Sequence, residues 1–189
     1  MAFDIKLKPL GDNLDQVQLF TNTLHGNKAL NWRCIHGQHK TAKVFCGELD
    51  VQRQSLNTLN QSGFNVFITL NQTDGVGVAA SNIVAVTALF ADLDGVPIEN
   101  IAKFPFKPTF INETSPGKYH AIYKIDGLPL NEFSRCQRAL AMVIGSDSSV
   151  CDLPRVVRVP GFFHTKNQST PFISQMVHFD PEAIHNGSE

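Results

Sequence analysis

The chain has 189 residues, of which 42% are hydrophobic and 17% are charged, as in ordinary globular domains. Its net charge of −1 excludes a generally basic nucleic-acid-coating protein, so any contact with nucleic acid must come from a local patch. No apolar run reaches the roughly 18 residues of a membrane span, and no signal peptide opens the sequence. We therefore expect a cytoplasmic protein with no membrane partner.

Helix and strand patterns alternate over the first 70 residues. Apolar residues at helical spacing predict a helix over 12–25, with Asp12 or Asn13 as the N-cap. A second helix is predicted over 48–61, with Val51 on its inward face. The predicted strands of this part cover 29–36, 42–47 and 64–70.

A group of cysteines and histidines lies within the two strands that precede the second helix. Cys34, His36, His39 and Cys46 are close enough in sequence to raise a zinc site. The segment alternates like paired strands, however, and its spacing matches no standard zinc finger. The cysteines of the chain lack C-x-x-C spacing, and we expect reduced thiols.

The most informative stretch is the apolar run over 84–94, which ends in two aspartates followed by Gly95. It predicts a buried strand whose end leaves the core. Residues two apart on a strand share a face at about 6.6 Å, so Asp92 and Asp94 point the same way. Like charges repel by roughly 4 kcal/mol at 4 Å with an effective dielectric near 20, and a divalent cation reverses that repulsion. The run indicates a metal site; the alternative is a simple Asp-Gly turn.

A hairpin follows, with strands predicted over 109–113 and 119–125. Its Pro-Gly turn leaves Ser115, Lys118 and His120 close together, and Lys118 shares a strand face with His120. A hydroxyl, an ammonium and an imidazole on one ledge suit the oxygens of a triphosphate. The alternative is a hairpin with a surface lysine and a half-buried histidine.

The densest polar stretch, 147–166, follows a helix predicted over 130–144. Arg155 and Arg158 stand in an otherwise apolar run and need anionic partners, which carboxylates or a bound phosphate could supply. They share a face if the run is a helical turn and oppose each other if it is a strand. The alternative is that these arginines pair with aspartates in a network that only stabilises the fold.

Three segments together resemble the ordered motifs of the archaeo-eukaryotic primase superfamily, in particular the RepB-like and PrimPol-type primases of plasmids and phages. They are residues 90–95 (Phe-Ala-Asp-Leu-Asp-Gly), 113–120 (Glu-Thr-Ser-Pro-Gly-Lys-Tyr-His) and 152–166 (Asp-Leu-Pro-Arg-Val-Val-Arg-Val-Pro-Gly-Phe-Phe-His-Thr-Lys). The resemblance implies an α/β (α+β) fold with RRM-like mixed and antiparallel sheets flanked by helices. It also implies one catalytic domain over 1–177, made of an N-terminal α/β part (1–60) and a motif-bearing core (61–177), before a polar tail over 178–189.

The resemblance also implies roles for individual residues. Asp92, Asp94 and Asp147 would be the catalytic acids that hold two Mg²⁺ or Mn²⁺ ions, with Asp152 as the alternative third acid. His120 would grip the phosphates of the incoming nucleotide. The other residues implied to bind the nucleotide are Ser115, Lys118, Arg155, Arg158, His164 and Lys166.

The implied activity is template-directed nucleotidyl transfer, with NTPs or dNTPs as substrates, single-stranded DNA as template, and a replicative helicase or fused helicase segment as partner. Two alternatives stay open. The Asp92-Leu-Asp-Gly run also resembles the nucleophile motif of haloacid-dehalogenase-like phosphatases. The domain could instead be a non-catalytic module that binds single-stranded DNA at an origin.

Overall fold

The computed structural model describes residues 7–10, 15–26, 28–166, 170 and 172–187. Within them the chain forms a mixed α+β fold, as predicted. The helices are α1 (Gln16–His25), α2 (Leu49–Gln61) and α3 (Leu130–Ile144). The strands are β1 (Leu30–His36), β2 (Ala42–Gly47), β3 (Phe64–Thr69), β4 (Gln72–Thr73), β5 (Ile83–Ala85), β6 (Ala88–Asp92), β7 (Phe110–Ser115), β8 (Lys118–Asp126), β9 (Val156–Arg158), β10 (Phe163–His164), β11 (Phe172–Ile173), β12 (Gln175–Phe179) and β13 (Ile184–Asn186).

Two larger sheets carry the fold. The first has the strand order β2-β1-β3-β9 and is antiparallel throughout. In the second, β8 pairs antiparallel with both β7 and β6, and β12 extends the sheet beyond β7. Strand β13 adds a short parallel pairing at the end of β8. The mixed and antiparallel sheets flanked by helices agree with the expected architecture.

Two hydrophobic cores fix the sheets against the helices. In the first core, α1 and α2 cover one face of the first sheet, where Trp32, Val66 and Ile68 are fully buried, and the alternate residues of β6 join the same core. The second core lies on the other face of the second sheet, under α3. The opposite face of the first sheet therefore carries no helix, and it borders the functional residues described below.

Helix α3 is tied to the free edge of β6 by a buried glutamine. Within the described part of the chain β6 pairs with β8 alone, so the outward backbone groups of Phe90 need other partners. The Gln137 carboxamide supplies both, since it accepts from the Phe90 N–H at 3.1 Å and donates to the Phe90 carbonyl oxygen. These two hydrogen bonds hold α3 against the strand that ends in Asp92.

Several predicted boundaries and faces differ from the structure. Helix α1 begins at Gln16 with Asp15 as its N-cap, and Asp12 and Asn13 lie outside the described residues. Val51 is 72% exposed rather than inward, because Leu49 and Leu56, seven residues apart, define the buried face of α2.

The run predicted as one strand over 84–94 is split between two sheets. Strand β5 pairs with β4, whereas β6 belongs to the second sheet. The break comes at Thr87, whose N–H donates to the Asn71 side chain at 3.0 Å instead of to a strand. The chain leaves the β4–β5 hairpin there and enters the larger sheet.

The segment predicted as a polar tail over 178–189 contains strand residues instead. Strand β12 runs to Phe179, and its Val177 is buried. Strand β13 pairs with β8 because the Thr109 hydroxyl, the Ala183 carbonyl and Lys124 N–H link the segment to the sheet. Among the described residues, no helix is both long and apolar enough to cross a membrane.

Candidate active site

The end of β6 places Asp92 directly opposite His120 of β8. His120 Nε2 lies 3.8 Å from Asp92 Oδ1, and the side chains are 15% and 41% exposed, respectively. Leu93 is 1% exposed and points back into the second core. Asp92 and Asp94 therefore point outward on the same side, as the strand alternation predicts.

Asp94 is bound by Lys118, the first residue of β8. Lys118 Nζ lies 2.8 Å from each carboxylate oxygen of Asp94. The Asp94 N–H donates to Asp92 Oδ1 at 3.1 Å, which closes a tight turn between the two acids. Two carboxylates and one ammonium thus form a compact polar group at the end of the strand.

The hairpin between β7 and β8 brings the second motif to the same place. Gly117 has φ 71°, a left-handed conformation that suits glycine, and its N–H donates to Glu113 Oε1 at 3.0 Å. Ser115 pairs with Lys118 across the turn and is partly exposed. The hairpin thereby presents Ser115, Lys118 and His120 along one side of the site.

Burial keeps His120 neutral. It lowers the pKa of the imidazole from 6.5 to about 4, Asp92 and Asp94 oppose that change, and Arg158 adds to it. The Phe90 ring stands edge-on to the imidazole, with centroids 5.9 Å apart. A neutral imidazole offers one N–H donor and one acceptor nitrogen.

Arg158 enters the site from the third motif. Arg158 is the last residue of β9, whereas Arg155 precedes that strand and pairs with Asp152. Arg158 Nη1 donates to Asn65 Oδ1 at 2.7 Å, and its guanidinium carbon lies 4.7 Å from the centroid of the Phe67 ring. Burial lowers the pKa of Arg158 to about 10, which still leaves it charged at neutral pH.

Asn65 also fixes the segment that carries His164 and Lys166. The Thr165 N–H donates to Asn65 Oδ1 at 2.9 Å, and Thr165 Oγ1 donates to the Gly63 carbonyl at 2.7 Å. Burial, together with the positive charges of Arg158, Lys166 and Lys118, lowers the pKa of His164 from 6.5 to about 4. His164 therefore stands within the electrostatic range of residues from the second and third motifs.

Asp147, Asp152 and Arg155 form a separate group in the segment between α3 and β9. Arg155 makes an ion pair with Asp152. Hydrogen bonds from Ser149 lower the pKa of Asp147, and the charge of Arg155 contributes to that shift. The structure thus places Arg155 between the two candidate third acids, while Arg158 joins the group around His120.

The donor set at Asp92 and Asp94 fits a hard divalent cation. Carboxylate oxygens suit Mg²⁺ and Mn²⁺, and Asp94 already holds an ammonium cation through both oxygens. Within the described part of the chain, however, no three His, Cys, Asp or Glu side chains gather closely enough to hold a metal ion. Asp147, the third ligand predicted from the sequence, does not join Asp92 and Asp94 in this conformation.

A row of four side chains crosses the uncovered face of the first sheet and ends in the site. Strand pairing aligns Val44, Arg33, Phe67 and Arg158, one from each strand in the order β2-β1-β3-β9. We call these four residues the cross-sheet row. Val44 is 49% exposed, Arg33 is exposed and Phe67 is partly exposed. The row offers the Phe67 ring and the exposed guanidinium of Arg33.

Sequence reasoning did not single out Asn65 or Asn112. Asn65 is 6% exposed and connects two motif segments, and Asn112 is 1% exposed and lies opposite His120 in the sheet. Asn65 is a polar residue in the largely apolar strand β3, which was an available signal because a buried amide needs hydrogen-bonding partners. Strand β7 also contains Glu113, Thr114 and Ser115, so its sequence did not distinguish Asn112.

Comparison with known proteins gives one family and one fold. The sequence profile described as the RepB DNA-primase N-terminal domain matches residues 79–178, just over half of the chain. No curated protein sequence matches the chain. The structure is similar to the AEP domain of the primase-polymerase of cyanophage S-2L, with a TM-score of 0.75, 20% identity, and coverage of 92% of this chain and 94% of that one.

Two further similar structures are those of RepB′ primase. One has a TM-score of 0.70 and 14% identity over 89% of this chain and 57% of the RepB′ chain, so the chain spans little more than half of that protein. The other is the RepB′ catalytic domain in complex with initiator DNA, with a TM-score of 0.67, 15% identity, and coverage of 89% and 85%. At these identities the likeness concerns the fold.

Proposed function

The chain belongs to the family of RepB DNA-primase N-terminal domains, and from that premise we propose that it is a template-directed nucleotidyltransferase that makes primers on single-stranded DNA in plasmid or phage replication. One observation carries the proposal. Strand pairing sets Asp92 against His120, with the charge of Arg158 close enough to lower the pKa of that histidine. A carboxylate proposed to bind a metal ion and basic side chains proposed to bind a triphosphate therefore lie close together.

Asp92 and Asp94 are the proposed metal ligands, with Asp147 as the third and Asp152 as the alternative. Either later acid has to move from its position beside Arg155 to reach them. When bound, two Mg²⁺ or Mn²⁺ ions would lower the pKa of a primer 3′-hydroxyl and offset the negative charge on the α-phosphate. The carboxylates of this chain keep that position negative before the ions bind.

The cationic and polar residues around His120 are proposed to hold the β- and γ-phosphates. Lys118 offers a flexible ammonium, and Arg158 a guanidinium held in place by Asn65. His120 is neutral and donates one N–H. The remaining proposed phosphate contacts are Ser115, Arg155, His164 and Lys166. Together they position the nucleotide and neutralise departing pyrophosphate, with no covalent step on the protein.

The cross-sheet row is the proposed path of the template. Phe67 offers a ring on which a base can stack, and Arg33 is an exposed cation for the backbone. The loop between β4 and β5 borders the row, because Asn31 Nδ2 donates to the Gly77 carbonyl at 3.0 Å. The similar RepB′ catalytic domain was solved in complex with initiator DNA, which supports DNA binding by this chain but not a particular path. A replicative helicase, separate or fused, is the proposed supplier of single strands.

We propose a single catalytic domain, which the sequence predicts over 1–177. We extend the C-terminal limit of this domain to include β13. Its three motif segments all contribute to one site, and both sheets share the first core. The N-terminal part (1–60) supplies two strands of the sheet that carries the cross-sheet row.

A non-catalytic DNA-binding module is the second candidate, because one observation favours it. In the described residues Asp94 is neutralised by Lys118, and no third acid joins the pair. Such a module would use the cross-sheet row for DNA and the ion pair for structure only. Nothing in the structure favours the phosphatase alternative.

The test is nucleotide incorporation on a single-stranded DNA template with labelled dNTPs or NTPs and Mg²⁺ or Mn²⁺. We expect the native protein to extend a primer, and Asp92→Ala to lose extension while it still binds DNA. Asp50→Ala, an exposed acid on α2, is the matched control and should remain active. A native protein that binds DNA but never incorporates nucleotide would support the second candidate.

The same assay separates the two later acids. Loss of extension by Asp147→Ala with activity retained by Asp152→Ala supports Asp147 as the third ligand. The reverse result assigns that role to Asp152.

A further inference from the structure

Among the residues that the structure describes, His120 and its strand neighbour Asn112 have three polar side-chain atoms that are buried without a hydrogen-bonding partner. They are Nδ2 and Oδ1 of Asn112 and Nδ1 of His120. Asn112 is 1% exposed, so solvent does not satisfy its amide. A buried amide without partners lowers stability, and a position that only fills space is better served by an apolar side chain of similar volume.

Strand pairing makes these atoms neighbours. His120 pairs with Asp92 on one side and with Asn112 on the other, so the imidazole lies between an acid and an amide on the same face of the sheet. Side chains of directly opposed residues stand about 5 Å apart at their Cβ atoms. On the far side of Asn112 the next strand presents Met176, which is fully buried and offers only a thioether.

The two nitrogens of His120 face different surroundings. Nε2 is on the side of Asp92, at 3.8 Å, where a substrate phosphate would arrive. For Nε2 to donate to a phosphate oxygen it must carry the proton, and Nδ1 must then be an acceptor. The carboxamide of Asn112 is the donor that the sheet places beside Nδ1.

We propose that Asn112 is a positioning residue for His120. Its carboxamide nitrogen donates to one buried water, which in turn donates a hydrogen bond to His120 Nδ1 and so holds the ring in the Nε2–H tautomer. The link is argued from the strand pairing and the orphaned polar atoms of the two residues, while its effect on catalysis rests on the proposed function: the fixed Nε2–H donates to a phosphate oxygen of the incoming nucleotide.

The test compares Asn112→Leu with Thr69→Val. Leucine has a similar volume to asparagine and no hydrogen-bonding group. Thr69 is 4% exposed, and its Oγ1 is another buried atom without a partner, so Thr69→Val removes an orphaned polar atom outside the proposed site. Thr69→Val should unfold at the same temperature as the native protein or at a higher one, whereas Asn112→Leu should unfold at a lower temperature because it loses the link to His120 Nδ1.

The first readout is the ¹⁵N spectrum of the His120 ring, assigned by its loss in His120→Gln. We expect the native protein and Thr69→Val to show the Nε2–H tautomer, and Asn112→Leu to show a mixture. An unchanged His120 tautomer in folded Asn112→Leu overturns the proposal. If Asn112→Leu does not fold, Asn112→Ser takes its place. Its shorter hydroxyl donor should leave a smaller population of the Nε2–H tautomer than the native protein has. An undiminished population overturns the proposal.

The second readout is the KM for the incoming nucleotide. Asn112→Leu should raise this KM about tenfold, the scale of loss seen when a residue that orients a metal-binding side chain is removed. The same substitution in a His120→Gln background should add nothing, and an undiminished effect there overturns the proposal. If the native protein incorporates no nucleotide, the proposed function fails, and the spectrum alone decides the contact.

Discussion

Lys118 Nζ lies 2.8 Å from both carboxylate oxygens of Asp94, so a cation of the protein itself sits on one of the two acids that end β6. Both side chains are about half exposed, at 49% and 59%. Exposed ion pairs contribute about 0–1 kcal/mol, so the pair is easily opened. We infer that Lys118 leaves Asp94 for the triphosphate when a metal ion and a nucleotide bind.

Lys118→Met should therefore have two opposite effects. With Asp94 freed, Mn²⁺ should bind more tightly in calorimetric titration. The KM for the nucleotide should rise roughly thirtyfold, because a charge-assisted hydrogen bond of about 2 kcal/mol is lost. Stability should change by less than about 1 kcal/mol. Weaker binding of Mn²⁺ would show that the lysine does not compete for Asp94.

Arg33→Ala should weaken binding of single-stranded DNA and lower its salt dependence. Arg33 is exposed in the cross-sheet row, and each phosphate contact on single strands contributes a slope of about 0.7 in a plot of log affinity against log salt. Arg53→Ala is the matched control, because Arg53 lies on α2 and is paired with Asp15. Equal losses in the two variants would show that the row has no special role.

Gly37→Ala should displace the segment that carries His164 and Lys166. A Cβ at Gly37 would lie 2.4 Å from the carbonyl oxygen of Thr165, which is backbone and cannot turn away. We expect a loss of about 1–3 kcal/mol in the free energy of unfolding and a raised KM for the nucleotide. In the control, Gly47→Ala, the new Cβ would meet only the flexible Gln52 side chain. Wild-type kinetics in Gly37→Ala would separate this segment from nucleotide binding.

Acid should destabilise the protein through His25, which lies far from the proposed site at the end of α1. Burial lowers its pKa from 6.5 to about 4, so between these values the unfolded chain binds more protons than the folded one. Stability therefore rises with pH through this window and falls as pH drops from 6.5 to 4, by at most about 3 kcal/mol for this group. Denaturant unfolding of His25→Gln at pH 7 and pH 5 should show a smaller loss than the native protein. An identical loss would contradict the assignment.

The sequence was sufficient for the parts of the site that depend on local pattern. Strand alternation predicts that Asp92 and Asp94 point together, because an apolar Leu93 between them anchors the turn. The Pro-Gly turn likewise predicts the placement of Ser115 and Lys118. Both predictions concern residues close in sequence, where backbone geometry fixes the side-chain direction.

Features that depend on tertiary pairing could not be read in the same way. Asn112 matters because β7 happens to be the other neighbour of β8, and no local pattern specifies that pairing. The pairing of β9 with β3 makes Arg158 a strand residue and leaves Arg155 before the strand, which the local sequence did not specify. Val143 of α3 is 43% exposed, whereas the polar Gln137 takes an inward position and binds the backbone of β6.

The central claim is that the group around Asp92 joins nucleotides in the order set by a template. The most direct measurement offers each labelled nucleotide singly on an oligo-dT template and quantifies both incorporation and pyrophosphate. We predict that only the adenine nucleotide enters, with one pyrophosphate released for each, and that Asp92→Ala abolishes both signals. Incorporation regardless of the base, or full incorporation by Asp92→Ala, would contradict the account.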